Sequence, residues 1–349
     1  MIKIFDGHND TITKLHKTSR SFFVKNTQGH LDLPRALEGG YLGGFFAIFT
    51  EPQAGSPESD PMYGHNKTLI GYFMTMHKPI RPAQAILYTD EMLDYLRDME
   101  AGSGGALKII REYADIENCM KDNVMMAIAH IEGAEALENN LGNLAHYYDK
   151  GLRSIGLVWS RPNDFGSGVP FKYPSTSDTG PGLTPAGMEL VAECNRKNMI
   201  VDLAHLNYKG FFDAAKISKA PLVVSHANVN RICQVSRNLM DDQIAAVAAS
   251  GGVIGINFEP SFLRPDGGHG ADMPLEVIAD HFEYITKRHG TDNVGFGTDF
   301  DGADMPQDIK DASDLQKVVE VLRKRGFDDE ALEKMANKNW LRVLKATLK

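Results

Sequence analysis

Six residues with metal affinity stand just after short apolar runs: His8 and Asp10 in DGHND, Glu132 in AIAHIEG, His205 in IVDLAHLN, His226 in LVVSHAN and Asp299 in GFGTDFDG. His8 and Asp10 are two residues apart, so on a strand both side chains leave the same face and can serve one site. The three imidazoles, with Asp10 and Glu132, make a nitrogen and oxygen donor set suited to zinc, or to manganese or cobalt as substitutes. Two dications set against these two carboxylates and one hydroxide leave a net charge of about +1, which would attract a carbonyl oxygen and stabilise an oxyanion. Taken singly, each position has an ordinary alternative. An Asp after a strand is often a helix N-cap, and a lone His there is more often a hydrogen-bonded structural residue. Five runs ending this way are harder to explain as caps, because His is not a favoured cap residue.

What would bring such distant residues together is the arrangement of the runs. Eight apolar runs (2–5, 44–49, 124–129, 154–158, 200–203, 222–224, 253–257 and 294–297) alternate with helix-like stretches at 184–198, 241–250 and 275–289. Thr184 before Pro185 reads as an N-cap with proline at the first helical position. Eight alternating strands and helices predict a parallel α/β sheet closed into a (β/α)8 TIM barrel, whose active sites lie at the carboxyl ends of the strands. The rival, an open doubly wound sheet, lacks its GxGxxG fingerprint after the first strand. Segments 50–65, 160–182 and 259–273 are rich in Pro and Gly and are expected as long active-site loops on that rim. With no linker, repeat or low-complexity tract, residues 1–349 are expected to form one barrel domain.

Composition excludes some partners. A formal charge of -9 at pH 7 offers no basic stripe for nucleic acid. The run 244–258 is too short and too broken to span a bilayer, and neither an amino-terminal signal core nor a hydrophobic tail for a membrane anchor is visible. The three cysteines, Cys119, Cys194 and Cys233, are far apart, which fits a reducing compartment. A cytoplasmic enzyme is expected. Among secondary candidates, His130 is a further ligand or a residue behind the ligands, and Asp6 and Asp202 are carboxylates expected to orient ligand histidines. No GxSxG elbow, P-loop or HExxH helix is present.

The motifs DGHND, HIEGAEAL, GLTPAG, LVAECNRKNMIVDLAHLN, PLVVSHA, SRN and GFGTDFDG, in this order, resemble the signatures of the membrane (renal) dipeptidases, peptidase family M19, among the amidohydrolase-like metal hydrolases. That resemblance implies a zinc-dependent dipeptidase with two Zn2+: His8 and Asp10 on one ion, His205 and His226 on the other, and Glu132 bridging. It implies that Asp299 meets the substrate amino group and handles protons, and that Arg237 clamps the substrate carboxylate. Dimers are implied as well. A guanidinium gripping a carboxylate at one end and an acidic residue holding an ammonium at the other would measure a small dipeptide. Two substrate-binding positions depart from the family. Trp159 stands where the dipeptidases carry a His that stabilises the oxyanion, and an indole nitrogen only donates. Phe262 stands where a Tyr touches the substrate carboxylate. Asn163 or Arg161 is a candidate to replace the lost donor.

The leading expectation is attack by a metal-bridging hydroxide on the peptide carbonyl, with Glu132 and Asp299 as the catalytic carboxylates. The alternatives are a hydrolase acting on another small amide, an N-acyl amino acid or a lactone, and a metal-binding protein without turnover.

Overall fold

The computed structural model describes residues 1–52, 55–57 and 65–349. The expected loop 50–65 therefore lies partly outside the described residues. Twelve strands are described: β1 (Ile4–Asn9), β2 (Tyr41–Phe49), β3 (His65–Lys67), β4 (Tyr72–Met74), β5 (Leu107–Ile109), β6 (Met125–Glu132), β7 (Leu152–Gly156), β8 (Lys172–Tyr173), β9 (Ile200–Asp202), β10 (Val223–Val224), β11 (Val253–Ile256) and β12 (Val294–Phe296). Eight of them close a parallel barrel in the order β1-β2-β6-β7-β9-β10-β11-β12, and these are the eight apolar runs of the sequence. Closure rests on β2 and β6, in register from Gly43 opposite Met126 to Phe49 opposite Glu132.

Strand boundaries differ from expectation at two ligand positions. β1 runs on to Asn9 and β6 to Glu132, so His8 and Glu132 lie within strands rather than beyond them. Both strands are buried along their whole length, because the polar residues face one another inside the barrel. A ninth parallel strand, β5, pairs with the first residues of β6 and was not anticipated; it has only three residues.

The interior is layered. Phe5, Phe45, Met126, Ile128, Ile200, Val223 and Val253 pack around Trp340, which comes from the helix Asn339–Thr347. Trp340 is fully buried, its Nε1 donates to Phe296 O at 3.0 Å, and its ring lies 5.4 Å from that of Phe45. Gly7 of the DGHND motif makes room for it: a methyl there would sit 2.5 Å from Trp340 Cζ2 and 2.1 Å from Ser225 O. His130 forms the next layer, edge-on to His8 at 5.6 Å with its Nδ1 2.9 Å from Ser154 Oγ. The rim follows above it.

Helices at Pro185–Arg196, Asp241–Ala249 and Glu276–His289 cover the outside, and Thr184 caps the first by accepting from Gly187 N. The long loops are less irregular than their composition suggests. Segment 160–182 contributes β8, which pairs antiparallel with β4 in a three-stranded sheet, and segment 259–273 opens with the helix Pro260–Leu263. No helix among the described residues is long and apolar enough to cross a membrane.

Because Trp340 supports the floor beneath the rim, Trp340→Ala is expected to lower the unfolding free energy by about 3–5 kcal/mol. Urea denaturation followed by circular dichroism measures it; a loss under about 1 kcal/mol would mean that the barrel collapses around the gap.

Candidate metal centre and substrate pocket

The rim brings all six metal-affine residues together. Glu132, the last residue of β6, is the hub: its Oε1 lies 3.0 Å from His205 Nε2, 3.3 Å from His226 Nε2 and 3.8 Å from His8 Nε2. His8 Nε2 in turn lies 3.3 Å from Asp10 Oδ2 and 3.9 Å from Asp299 Oδ1. His205 and His226 face each other, Nε2 to Nε2, at 3.2 Å, and the rings of His8 and His226 stack at 3.8 Å. All six side chains are buried.

The ordinary alternative for Asp10, an N-cap, does not hold. It occupies the cap position of the helix Thr11–Thr18 but makes no side-chain cap bond, and its carboxylate turns to His8 instead. His205 and Asp299 both sit in the left-handed region, at φ 62° and 64°, a conformation uncommon for non-glycine residues and concentrated at functional sites.

Neighbouring groups fix the imidazoles. Ser225 Oγ donates to Asp202 Oδ2 at 2.5 Å, so at 2.8 Å from His226 Nδ1 it accepts that ring's N–H. The lone pair of His226 is therefore on Nε2 and points at Glu132 Oε1. Ser160 Oγ lies 2.8 Å from His205 Nδ1. Asn257, at the end of β11, donates from Nδ2 to Asp299 Oδ2 at 2.8 Å, and Asp299 N donates to His8 O at 3.0 Å.

These buried acceptors crowd together, and their titration registers it. Burial pushes the Glu132 and Asp299 carboxyls up, reinforced by Asp10, while His8 and Arg237 oppose it. Burial works against a protonated His8, but Glu132, Asp10 and Asp299 outweigh it and raise that ring to about 10. Burial holds His205 and His226 well below the usual histidine range, aided by the positive charge of Arg237 and His8. Two neutral imidazoles, a His226 lone pair directed at a carboxylate oxygen, and donor atoms within 4.8 Å of one another in the sets His8, Glu132, His226 and His8, Asp10, Asp299 fit a site for cations.

Arg237 is 3% exposed, which removes a surface salt bridge as its role. Its Nη2 donates to His226 O at 2.7 Å and its Nε has no partner. Burial lowers it to about 10, with Asp299 and Glu132 pulling the other way. Trp159 stands over the rim, its ring 5.8 Å from that of His205. Phe262 joins the same wall through Phe171, stacked at 5.7 Å and 13°. Of the two candidate replacement donors, Asn163 is fully engaged elsewhere, whereas Arg161 keeps Nη1 without a partner. Asn163 spends Oδ1 on the amides of Phe165 and Gly166 and Nδ2 on Leu157 O, and Arg161 is buried against Glu135.

Two expectations about orienting carboxylates part ways. Asp202 reaches His226 through Ser225, as expected. Asp6 accepts from Thr298 N at 2.7 Å, Thr298 Oγ1 at 2.8 Å and the backbone N of His8, and touches no ligand ring. It joins β1 to the end of β12 instead. Asn257, Ser160 and Ser225 escaped notice in the sequence, although each is a polar residue at or just past a strand's carboxyl end, the signal that found the ligands.

Comparison with known proteins agrees with this geometry. The membrane dipeptidases (peptidase family M19) match residues 1–349. A metallopeptidase from Rhodobacter sphaeroides, solved with a phosphinate mimic of the dipeptide L-Ala-D-Ala, is 41% identical with a TM-score of 0.93, covering 99% of each chain. An uncharacterised dipeptidase of Schizosaccharomyces pombe is 30% identical over 361 residues, covering 99% of this chain and 80% of that one. A Klebsiella pneumoniae protein encoded in the pqqA 5' region is 42% identical over 255 residues, 73% of this chain and 94% of that protein. A barrel rim that gathers buried imidazoles and carboxylates, on a chain alike from end to end, makes this protein a metallo-dipeptidase of the membrane dipeptidase family.

Proposed function

We propose that the rim holds two zinc ions and hydrolyses the peptide bond of free dipeptides. The observation that carries this reading is the convergence of His205 Nε2 and the His226 lone pair on Glu132 Oε1, with His8 and Asp10 beside them, the donor set a cation takes. His8 and Asp10 would hold one ion, His205 and His226 the other, and Glu132 both; manganese or cobalt suits the same donors. When bound, such ions polarise a carbonyl and bring the pKa of a water near 7.

The chain's own groups do the rest. Asn257 fixes Asp299 Oδ2 and leaves Oδ1 beside His8 and Asp10, on the metal side. There Asp299 holds the substrate ammonium, takes the proton of the attacking water and passes it to the leaving amine. Arg237, with its unpartnered Nε, receives the substrate carboxylate. Burial of both ends limits the substrate to one peptide bond, and the dipeptide mimic held by the Rhodobacter relative supports the same class.

With zinc-loaded protein, a panel of L-L and L-D dipeptides should release amino acids while their N-acetyl derivatives do not; equal turnover of the acetylated set would remove Asp299 from ammonium binding. Asp299→Asn should keep both metals by elemental analysis and lose about 10²–10⁴ in kcat. A metal-replete variant of full activity would overturn that role. Ser225→Ala, which frees the His226 ring, should weaken zinc binding about 10–100-fold in a chelator competition; unchanged affinity would show that the ring needs no such support.

A further inference from the structure

Four rings at the mouth keep an exposed face. Phe49, Trp159, Phe171 and Phe262 are each half-buried, whereas Phe258 and Phe296 in the barrel wall are fully covered. They form a continuous surface. Trp159 lies 4.8 Å from Phe49 and 5.5 Å from Phe171, and Phe171 stacks on Phe262. One end of this surface touches the metal centre, since Phe49 pairs with Glu132 across β2 and β6 and Trp159 leans over His205. The other end reaches the carboxylate clamp, because Phe262 O accepts from Nδ2 of Asn238, the residue after Arg237. Asp299 stands apart from this surface, with His8 and Asp10. Tyr72, Cys233 and Val235 back Phe171 and Phe262 with a small apolar cluster of their own.

Beneath Trp159 lies a second device. Arg161 is fully buried, its guanidinium carbon 5.3 Å from the indole and 4.9 Å from the Phe49 ring. Its Nε donates to Glu135 Oε1 at 2.7 Å and its Nη2 to Thr50 O at 2.8 Å. A planar cation locked by two bonds and set under two rings holds them by cation–π attraction.

Resting on the dipeptidase reading above, we propose that this aromatic wall selects dipeptides with an apolar side chain on the carboxyl-terminal residue. Trp159 is its specificity-determining residue, and Arg161, anchored by Glu135, is the positioning residue that holds the indole. A dipeptide with its ammonium at Asp299 and its carboxylate at Arg237 lays its second side chain along this wall.

The test compares kcat/KM for Ala-Leu (in whichever stereochemistry is turned over) with that for Ala-Gly. The wild-type ratio should exceed about 10, as apolar pocket contacts discriminate about 10–200-fold per methylene at best. Trp159→Ala should cut the ratio at least about fivefold, while Trp159→Phe, which keeps a ring, holds it within about threefold. Arg161→Lys keeps a charge for Glu135 but not the flat surface; it should lower the ratio and raise acrylamide quenching of the half-buried Trp159 above the wild-type level, Trp340 being buried. Melting curves confirm that each variant is folded. Equal wild-type rates on both substrates would overturn the wall and leave the dipeptidase reading standing. An unchanged ratio in Trp159→Ala, with both rates falling together, would move the indole to bond cleavage and overturn it too. Wild-type ratio and quenching in Arg161→Lys would overturn its positioning role, and cleavage of neither substrate would overturn the wall and the dipeptidase reading together.

Discussion

Carboxylates do not share a dry space unless something positive stands between them. Asp10, Glu132 and Asp299 surround His8 within 4 Å, all buried, and burial alone makes their ionised forms costly. Much of the local structure answers this constraint. Arg237 keeps its charge in the interior close by. Serines hold the outer nitrogens of two imidazoles, so that at His226 a lone pair, not an N–H, faces inward. Asn257 satisfies one oxygen of Asp299 with a neutral donor and leaves the other toward His8.

Such a cluster survives only on a frame that cannot relax around it, and the barrel supplies that frame. Its first and last strands are joined by more than their brief ladder: Asp6 receives the backbone and side chain of Thr298, and Asp10 N donates to Phe300 O at 2.8 Å. The segment bearing His8 and Asp10 is thereby held against the segment bearing Asp299. Below, Trp340 and the Phe45 layer fill the space that would let the rim sag. The end of β2 and the loops after β7 and β11 then raise an aromatic surface above one side only, so the pocket is charged at one end and apolar along a flank.

The sequence made the frame and the candidate ligands legible for the same reason. Short apolar runs mark the strands, and in a parallel barrel their ends share one rim, so the His, Asp or Glu beyond five of the eight runs pointed to a common place. What it could not convey were contacts made across the barrel. Ser225 looks like any serine until its hydroxyl is seen between Asp202 and His226. Arg161 and Glu135, 26 residues apart, form a pair that no spacing announces. The runs 2–5 and 124–129 stop short of the ends of β1 and β6 because inward-facing polar residues interrupt the apolar pattern that marks a strand. Trp159 and Phe262 stood out as departures in chemistry, but Phe49 and Phe171, which join them into one surface, carried no signal in the sequence. Asp6 was assigned to the wrong partner because a carboxylate near a histidine in sequence can as well bind backbone.

The left-handed backbone at His205 and Asp299 limits how this site can change by descent. A β-branched residue at either position carries a steric penalty of about 1–3 kcal/mol before any chemistry is considered. Asn, Asp and Gly accept that conformation readily. Neighbouring sequences that explore new reactions on this rim therefore have a narrow gate at two of its six polar positions. Drift there leads through small polar residues or glycine, while His8, Asp10, Glu132 and His226, free of positive φ, are open to a wider alphabet.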